Sequence, residues 1–108
     1  MGGEKQVFLL MHENAEVREH VVGAYSSQGV ASQWQCSMLL KMARELATKE
    51  EAVQLEEIRE WLLGGHFEDA ERVFNALSRQ KARQEKTSIV ALDLLSDPPQ
   101  IGVVRRGF

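Results

Sequence analysis

Three residues near the N-terminus are of the types that bind zinc or iron. His12, Glu16 and His20 recur at intervals of four, and side chains four positions apart share a face of an α-helix. On one continuous helix, however, the two histidines would lie about 12 Å apart along the axis, which is too far for one ion. The pattern therefore favours a solvated polar face, and we predict no metal and no other cofactor.

A single cysteine, Cys36, is the candidate nucleophile. It lies just inside a predicted helix N-terminus, a position that can lower the pKa of a thiol. Its neighbours Trp34 and Met38 are apolar, and the sequence places no histidine or aspartate beside it. The pattern favours a buried, unreactive thiol. We interpret His66, which lies in a glycine-rich turn, as a capping or surface residue.

No other arrangement indicates catalysis. The chain contains no phosphate-binding glycine loop, no G-x-S-x-G and no pair of Cys-x-x-Cys motifs. Its glutamates at 50–51, 56–57 and 60 fall on a predicted helix face opposite Leu55 and Ile58, which is typical of a solvated surface. We therefore predict that the protein is not an enzyme.

Charge is distributed unevenly along the chain. Residues 1–78 carry 7 Lys/Arg and 13 Asp/Glu, whereas residues 79–108 carry 6 Lys/Arg and 3 Asp/Glu. Cations in the second part could contact phosphates, although cations also suit a helix C-terminus. The candidate nucleic-acid-binding residues are Arg79, Lys81, Arg83, Lys86, Arg105 and Arg106.

A compact apolar run at residues 89–95 precedes Asp97-Pro98-Pro99. It either packs on the rest of the chain as a last helix or remains exposed. Because monomers avoid large exposed apolar segments, an exposed run would dock onto a partner protein or a second copy. The candidate partner-binding residues are Ile89, Val90, Leu92, Leu94 and Leu95.

The elements that would position these residues are predicted to be helices, because both prolines lie near the C-terminus. The apolar run at residues 7–11 could open a helix or form a short strand. We predict a first helix over about residues 4–25, continuous or broken near His12–Asn14, with Asn14 as a helix N-cap. A loop follows at residues 26–29. Ser32 to Gln35 then has the form of a capping box that opens the next helix.

A second capping box, Thr48 to Glu51, favours a break in the helical region near Thr48. One continuous helix over residues 32–63 is the alternative. After it, Gly64-Gly65 predicts a helix end, and a second amphipathic helix begins near Glu68 and runs into the polar stretch 79–86. The two helices would form an αα-hairpin over residues 61–77.

This hairpin resembles a single tetratricopeptide-type repeat. The positions that match are Trp61, Gly65, Phe67, Ala70 and Phe74. The chain departs from that pattern where Glu57-Ile58 replaces a Leu-Gly pair and where Ala82 replaces the closing proline, and no second copy follows. The resemblance implies a role in binding peptides or proteins.

Together these patterns predict an all-α fold of four or five helices, as a small bundle or stacked αα-hairpins. Residues 1–86 would form the helical body and residues 87–108 an apolar and basic C-terminal extension. We expect a cytoplasmic protein with no membrane span, since the N-terminal apolar run Val7–Met11 is too short. The predicted function is a self-associating protein-interaction module, such as an adaptor, small chaperone or regulator. The alternative is a small nucleic-acid-binding regulator.

Overall fold

The computed structural model describes residues 4–95, without the side chains of residues 4, 5, 94 and 95. It contains a three-stranded antiparallel sheet as well as helices, so the predicted all-α class is wrong. Three strands are present in this range: β1 (Glu4–Glu13), β2 (His20–Tyr25) and β3 (Lys86–Leu95). The first helix predicted over residues 4–25 is therefore a β-hairpin, and the predicted C-terminal extension begins with a strand.

The three strands form one antiparallel sheet in the order β2-β1-β3. Strand β3 pairs with β1 over its whole length, from Glu4 opposite Leu95 to Glu13 opposite Lys86. Strand β2 pairs only with the second half of β1, and its register shifts opposite Leu10/Met11. The central strand therefore has one neighbour nearby in the sequence and another from the far end of the chain.

The loop between β1 and β2 depends on the side chain that the sequence suggested as a helix cap. The Asn14 amide oxygen accepts hydrogen bonds from the backbone N–H groups of Glu16 and Val17, both at 2.8 Å. A helix N-cap and an Asx turn use this same bond. Here the backbone N–H of Asn14 also donates to the Val17 carbonyl, and the chain turns back as a hairpin.

Four α-helices and one 3-10 turn separate β2 from β3. The helices are α1 (Gln28–Leu46), α2 (Ala52–Leu63), α3 (Phe67–Asn75) and α4 (Ser78–Arg83). Helix α1 begins earlier than predicted, because Ser27 is its N-cap and accepts a bond from the Val30 N–H at 3.2 Å. The predicted loop at 26–29 thus includes the first turn of α1, and the predicted capping box at Ser32 lies inside the helix.

The break predicted near Thr48 is confirmed, and one carboxylate organises it. Residues Lys49–Glu51 form the 3-10 turn. One oxygen of Glu51 accepts bonds from the Thr48 N–H at 3.0 Å and the Thr48 hydroxyl at 3.2 Å. Its other oxygen accepts from the Ser78 N–H at 2.8 Å. Glu51 therefore connects the start of α2 to the start of α4.

The predicted αα-hairpin is also confirmed. Helix α2 ends at Leu63, and Gly65 adopts a φ of 80°, in the left-handed region that glycine favours. The His66 N–H then donates to the Trp61 carbonyl at 2.8 Å, which satisfies a carbonyl at the helix end. The following helices are shorter than predicted, since α3 ends at Asn75 and α4 covers only six residues.

Helix α1 joins two packed regions of an elongated molecule measuring 59 × 31 × 15 Å. Its C-terminal half packs against α2 and α3. The buried residues of that core are Leu39, Met42, Ala43, Leu46, Ile58, Ala70, Phe74 and Leu77. Its N-terminal half lies on the sheet, where Leu10 and Ala31 are buried.

We expect Gly65→Ala to destabilise the fold by about 1–2 kcal/mol, because an L-residue is strained at positive φ. No atom lies within 4 Å of the added methyl group, so the cost is conformational alone. Gly29→Ala is the matched control: its methyl also meets open space, but its backbone is helical, so it should stabilise by a few tenths to about 1 kcal/mol. Urea unfolding measures both, and equal effects would contradict this assignment.

We expect Glu51→Gln to lower the unfolding temperature at neutral pH. Hydrogen bonds from the backbone N–H of Thr48 and then of Ser78 hold the pKa of Glu51 below its unfolded-state value of 4.5. A lowered pKa adds stability above that value and loses it as pH falls through the folded-state pKa. The difference between the natural chain and the variant should therefore shrink in acid. Glu50→Gln, at an exposed neighbour, should show no such dependence.

Candidate interaction surface

The sheet has one face covered by α1 and one face that no other described element covers. Direct partners in an antiparallel pair point to the same side. Thr87, the partner of His12, has its hydroxyl 3.1 Å from the Gln35 amide of α1. The even-numbered residues of β1 therefore face α1, and its odd-numbered residues form the other face.

We call this second surface the open sheet face. Its apolar residues are Val7, Leu9, Met11, Val21, Val90 and Leu92. Val21 is 50% exposed, Leu92 46% and Val90 39%. An antiparallel sheet with one solvated face normally alternates apolar and polar residues, but here both faces are apolar. Charged partners, Glu13 and Lys86, mark one end of the face.

Part of the predicted partner-binding segment contributes to this surface. Val90 pairs with Leu9 and Leu92 pairs with Val7, so both lie on the open sheet face. Ile89 instead pairs with Leu10 and faces α1. The predicted Leu94 and Leu95 belong to β3 by their backbone, and their side chains lie outside the described part.

The sequence pattern alone did not indicate that the other two strands contribute to this surface. Residues Val7–Met11 are apolar at every position, a pattern that cannot distinguish a buried helix segment from a strand that is apolar on both faces. The odd-numbered residues of this run, Val7, Leu9 and Met11, are all apolar, and this feature of the sequence could have indicated a second apolar face. Val21 was assigned to a helix face, and the hairpin places it directly opposite Met11.

A buried polar cluster connects this sheet to α4. Glu85 has a side chain only 6% exposed, and one of its oxygens lies 2.6 Å from Nε2 of His12. The same oxygen accepts a bond from the Asn14 amide at 3.0 Å, while the other lies 3.3 Å from the Arg83 guanidinium. Gln80 bonds both the N–H and the carbonyl of Glu85, so this carboxylate is fixed on all sides.

The three residues considered as metal ligands lie on different elements. His12 lies on β1, Glu16 in the hairpin loop and His20 on β2. These residues therefore do not share the helix face on which the sequence pattern would have placed them. The ring of His20 packs edge-on against His12, with centroids 5.1 Å apart. Within residues 4–95, no group of three His, Cys, Asp or Glu side chains converges to hold a metal ion.

Four of the predicted basic residues lie on α4 or at the start of β3. Arg79 and Lys81 are exposed on α4, Arg83 lies beside the Glu85 carboxylate, and Lys86 is exposed at the start of β3. Arg105 and Arg106 lie outside the described residues. Nucleic-acid binding stays a prediction that the geometry does not test.

The other two residues considered for chemistry lie on helix surfaces. Cys36 is half-buried on α1, and burial raises the pKa of its thiol, which disfavours the nucleophilic thiolate. His66 is exposed, and its ring packs edge-on against Trp61 with centroids 5.4 Å apart. No helix in the described range is long and apolar enough to cross a membrane.

We expect Glu85→Gln to destabilise the fold by about 1.5–3 kcal/mol, because the buried carboxylate accepts charge-assisted hydrogen bonds that a neutral amide replaces only in part. Glu56→Gln is the matched control. Glu56 and Arg59 form an exposed pair at 3.7 Å, and such pairs contribute about 1 kcal/mol or less. Chemical denaturation compares the two variants, and similar losses would show that the cluster does not stabilise this junction.

Comparison with known proteins gives no relative from which a function could be transferred. No protein-family model, no curated protein and no solved structure matches this chain. The functional argument therefore depends on the geometry of the chain itself.

Proposed function

We propose that this chain is a non-enzymatic protein-interaction module that self-associates through the open sheet face. The observation that supports the proposal is an apolar sheet surface with no other described element packed on it. Val21, Val90 and Leu92 are each at least 39% exposed. Contiguous apolar surface of this kind is typical of sites at which proteins bind one another.

A second copy is the occupant that suits this surface. Two sheets stack face to face about 10 Å apart, with their inner side chains interdigitated. The centre of the open sheet face is apolar apart from Ser88, and the charged residues of this face whose side chains are described, Glu13 and Lys86, lie at one end. In a two-fold dimer each copy presents the same patch, and no like charges meet at the centre.

The size of the surface sets the expected affinity. With strands about 4.8 Å apart and a rise of about 3.3 Å per residue, the three strands cover roughly 400 Å² of flat area per copy. Two copies would bury about 800 Å² by this measure, which is below the roughly 1,200 Å² of stable specific complexes and corresponds to a weak, transient one. We therefore propose a weak, reversible dimer with a dissociation constant on the order of micromolar.

The proposal includes the setting and role suggested by the sequence. A single cysteine suits a reducing, cytoplasmic environment. A module of this size would act as an adaptor, a small chaperone or a regulator of a larger protein. Self-association would then present two copies of every other surface, which raises the avidity of weak partner binding.

We expect the double variant V90T/L92T to weaken self-association at least 10-fold, about 1.4 kcal/mol. Each copy would lose two apolar side chains from the interface, while threonine keeps a high strand propensity. V53T is the matched control, since Val53 is 71% exposed on α2, away from the sheet. Sedimentation equilibrium across a concentration series measures all three chains.

Two results would contradict the proposal. One is a natural chain that remains monomeric at millimolar concentration. The other is a V53T variant that weakens association as much as V90T/L92T does. Urea unfolding of each variant checks that the change acts on association rather than on folding.

A further inference from the structure

A groove lies beside the open edge of β2, on the α1 side of the sheet. It has a volume of about 230 Å³ and is lined by residues of β1, β2 and α1. The lining residues are Leu10, Val22, Tyr25, Trp34, Ser37, Met38 and Lys41. Two of them, Trp34 at 55% and Val22 at 42%, are large apolar side chains left exposed. This groove is separate from the open sheet face.

Two aromatic rings form the wall of this groove. Tyr25 and Trp34 are nearly parallel, with an interplanar angle of 11° and centroids 6.2 Å apart. Gly23 allows this arrangement, because a Cβ there would lie 2.7 Å from Cζ of Tyr25. The Tyr25 ring therefore lies across the strand at Gly23, and any larger residue at this position would displace it.

The backbone of β2 beside the groove is available for pairing. Strand β2 is an edge strand whose one partner in the described sheet is β1. The register shift opposite Leu10/Met11 places an extra residue in β2, and such a bulge twists an edge and limits the length over which another strand can pair. A short extended peptide is compatible with this edge, whereas a long flat strand is not.

We propose that β2 and this groove bind an extended segment of a partner protein by strand addition. The segment would pair with the backbone of His20–Tyr25, place one large apolar side chain between Val22 and Trp34, and carry an acidic residue two positions away. Side chains two positions apart on a strand point to the same side. Backbone pairing supplies affinity, and the groove supplies specificity.

Charge complementarity identifies the occupant. Lys41 is the one charged residue that lines the groove, it is exposed, and it forms no ion pair with any described residue. A carboxylate on the bound segment would neutralise it.

The test is a selection from a random nine-residue peptide library displayed on phage, with the full-length chain as the target. Parallel selections use W34A/K41E, which removes the groove wall and reverses its charge, and V90T/L92T, which leaves the groove intact. Enriched peptides should combine an aliphatic or aromatic residue with Asp or Glu two positions away. V90T/L92T should select the same peptides, and W34A/K41E should not.

A synthetic copy of the most enriched peptide then tests the contacts by titration. K41E should weaken its binding at least 5-fold, and replacing its acidic residue with lysine should restore binding to K41E. K49E, at an exposed lysine on the 3-10 turn, should change nothing. N-methylation of alternate backbone nitrogens of the peptide should weaken binding at least 10-fold in one of the two registers. In NMR spectra of the protein, the changes in amide chemical shift on binding should concentrate in β2.

Several outcomes would overturn the inference. In the selection, these are equal enrichment on W34A/K41E and on the natural chain, or enriched peptides that lack an acidic residue. In the titrations, they are amide chemical-shift changes on the open sheet face, or a peptide that dissociates the dimer of the natural chain. The last would mean that a second copy occupies the groove. Loss of the proposed dimer would leave peptide selection on V90T/L92T intact, so the two proposals fail separately.

Discussion

The structure depends on a single helix, α1, that serves two regions at once. Its N-terminal half covers one face of the three-stranded sheet, and its C-terminal half forms a core with α2 and α3. The sheet has two faces, and α1, the one described helix that packs on it, covers only one of them. Because α2 and α3 pack at the far end of α1, the opposite face of the sheet remains uncovered. The exposed apolar residues of β2 and β3, and the half-buried ones of β1, follow from this shortage of covering elements.

The corner between α4 and β3 holds the start of β3 beside the end of β1. Strand β3 follows about sixty residues of intervening chain after β2, so its pairing with β1 is a long-range contact whose closure costs entropy. Buried polar bonds from Glu85 to His12 and Asn14 fix where β3 starts relative to the β1–β2 loop. If water took the place of His12 and Asn14 as the partners of Glu85, the register of β3 against β1 would be less well defined.

The helical half could be predicted from the sequence because its signals are local. The capping box from Thr48 to Glu51 and the glycine turn at Gly65 act within a few residues, and both occur as expected. The sheet could not be predicted in the same way. The run Val7–Met11 is apolar on both faces, so its alternation is hidden, and its partner β3 lies at the far end of the chain. Asn14 does not distinguish the two structures, because its side chain accepts the same backbone hydrogen bond in an Asx turn as in a helix N-cap.

The candidate surface could be predicted only in part for the same reason. The run at residues 89–95 stood out as apolar sequence beyond what a compact body needs, and two of its members, Val90 and Leu92, lie on the open sheet face. A strand alternates its side chains between faces, so Ile89 joins the covered side instead. The groove beside β2 could not be predicted, because Tyr25 and Trp34 fall in two separate helices of the predicted fold.

The most direct test of the account is an isotope-filtered NMR experiment on a mixture of labelled and unlabelled natural chain. It detects methyl contacts between copies and assigns them to residues. The account predicts intermolecular contacts among the methyl groups of Met11, Val21, Val90 and Leu92, and none from Val53 or Leu63, which are exposed at the helical end. Intermolecular contacts confined to the helical end, or none at millimolar concentration, would contradict it.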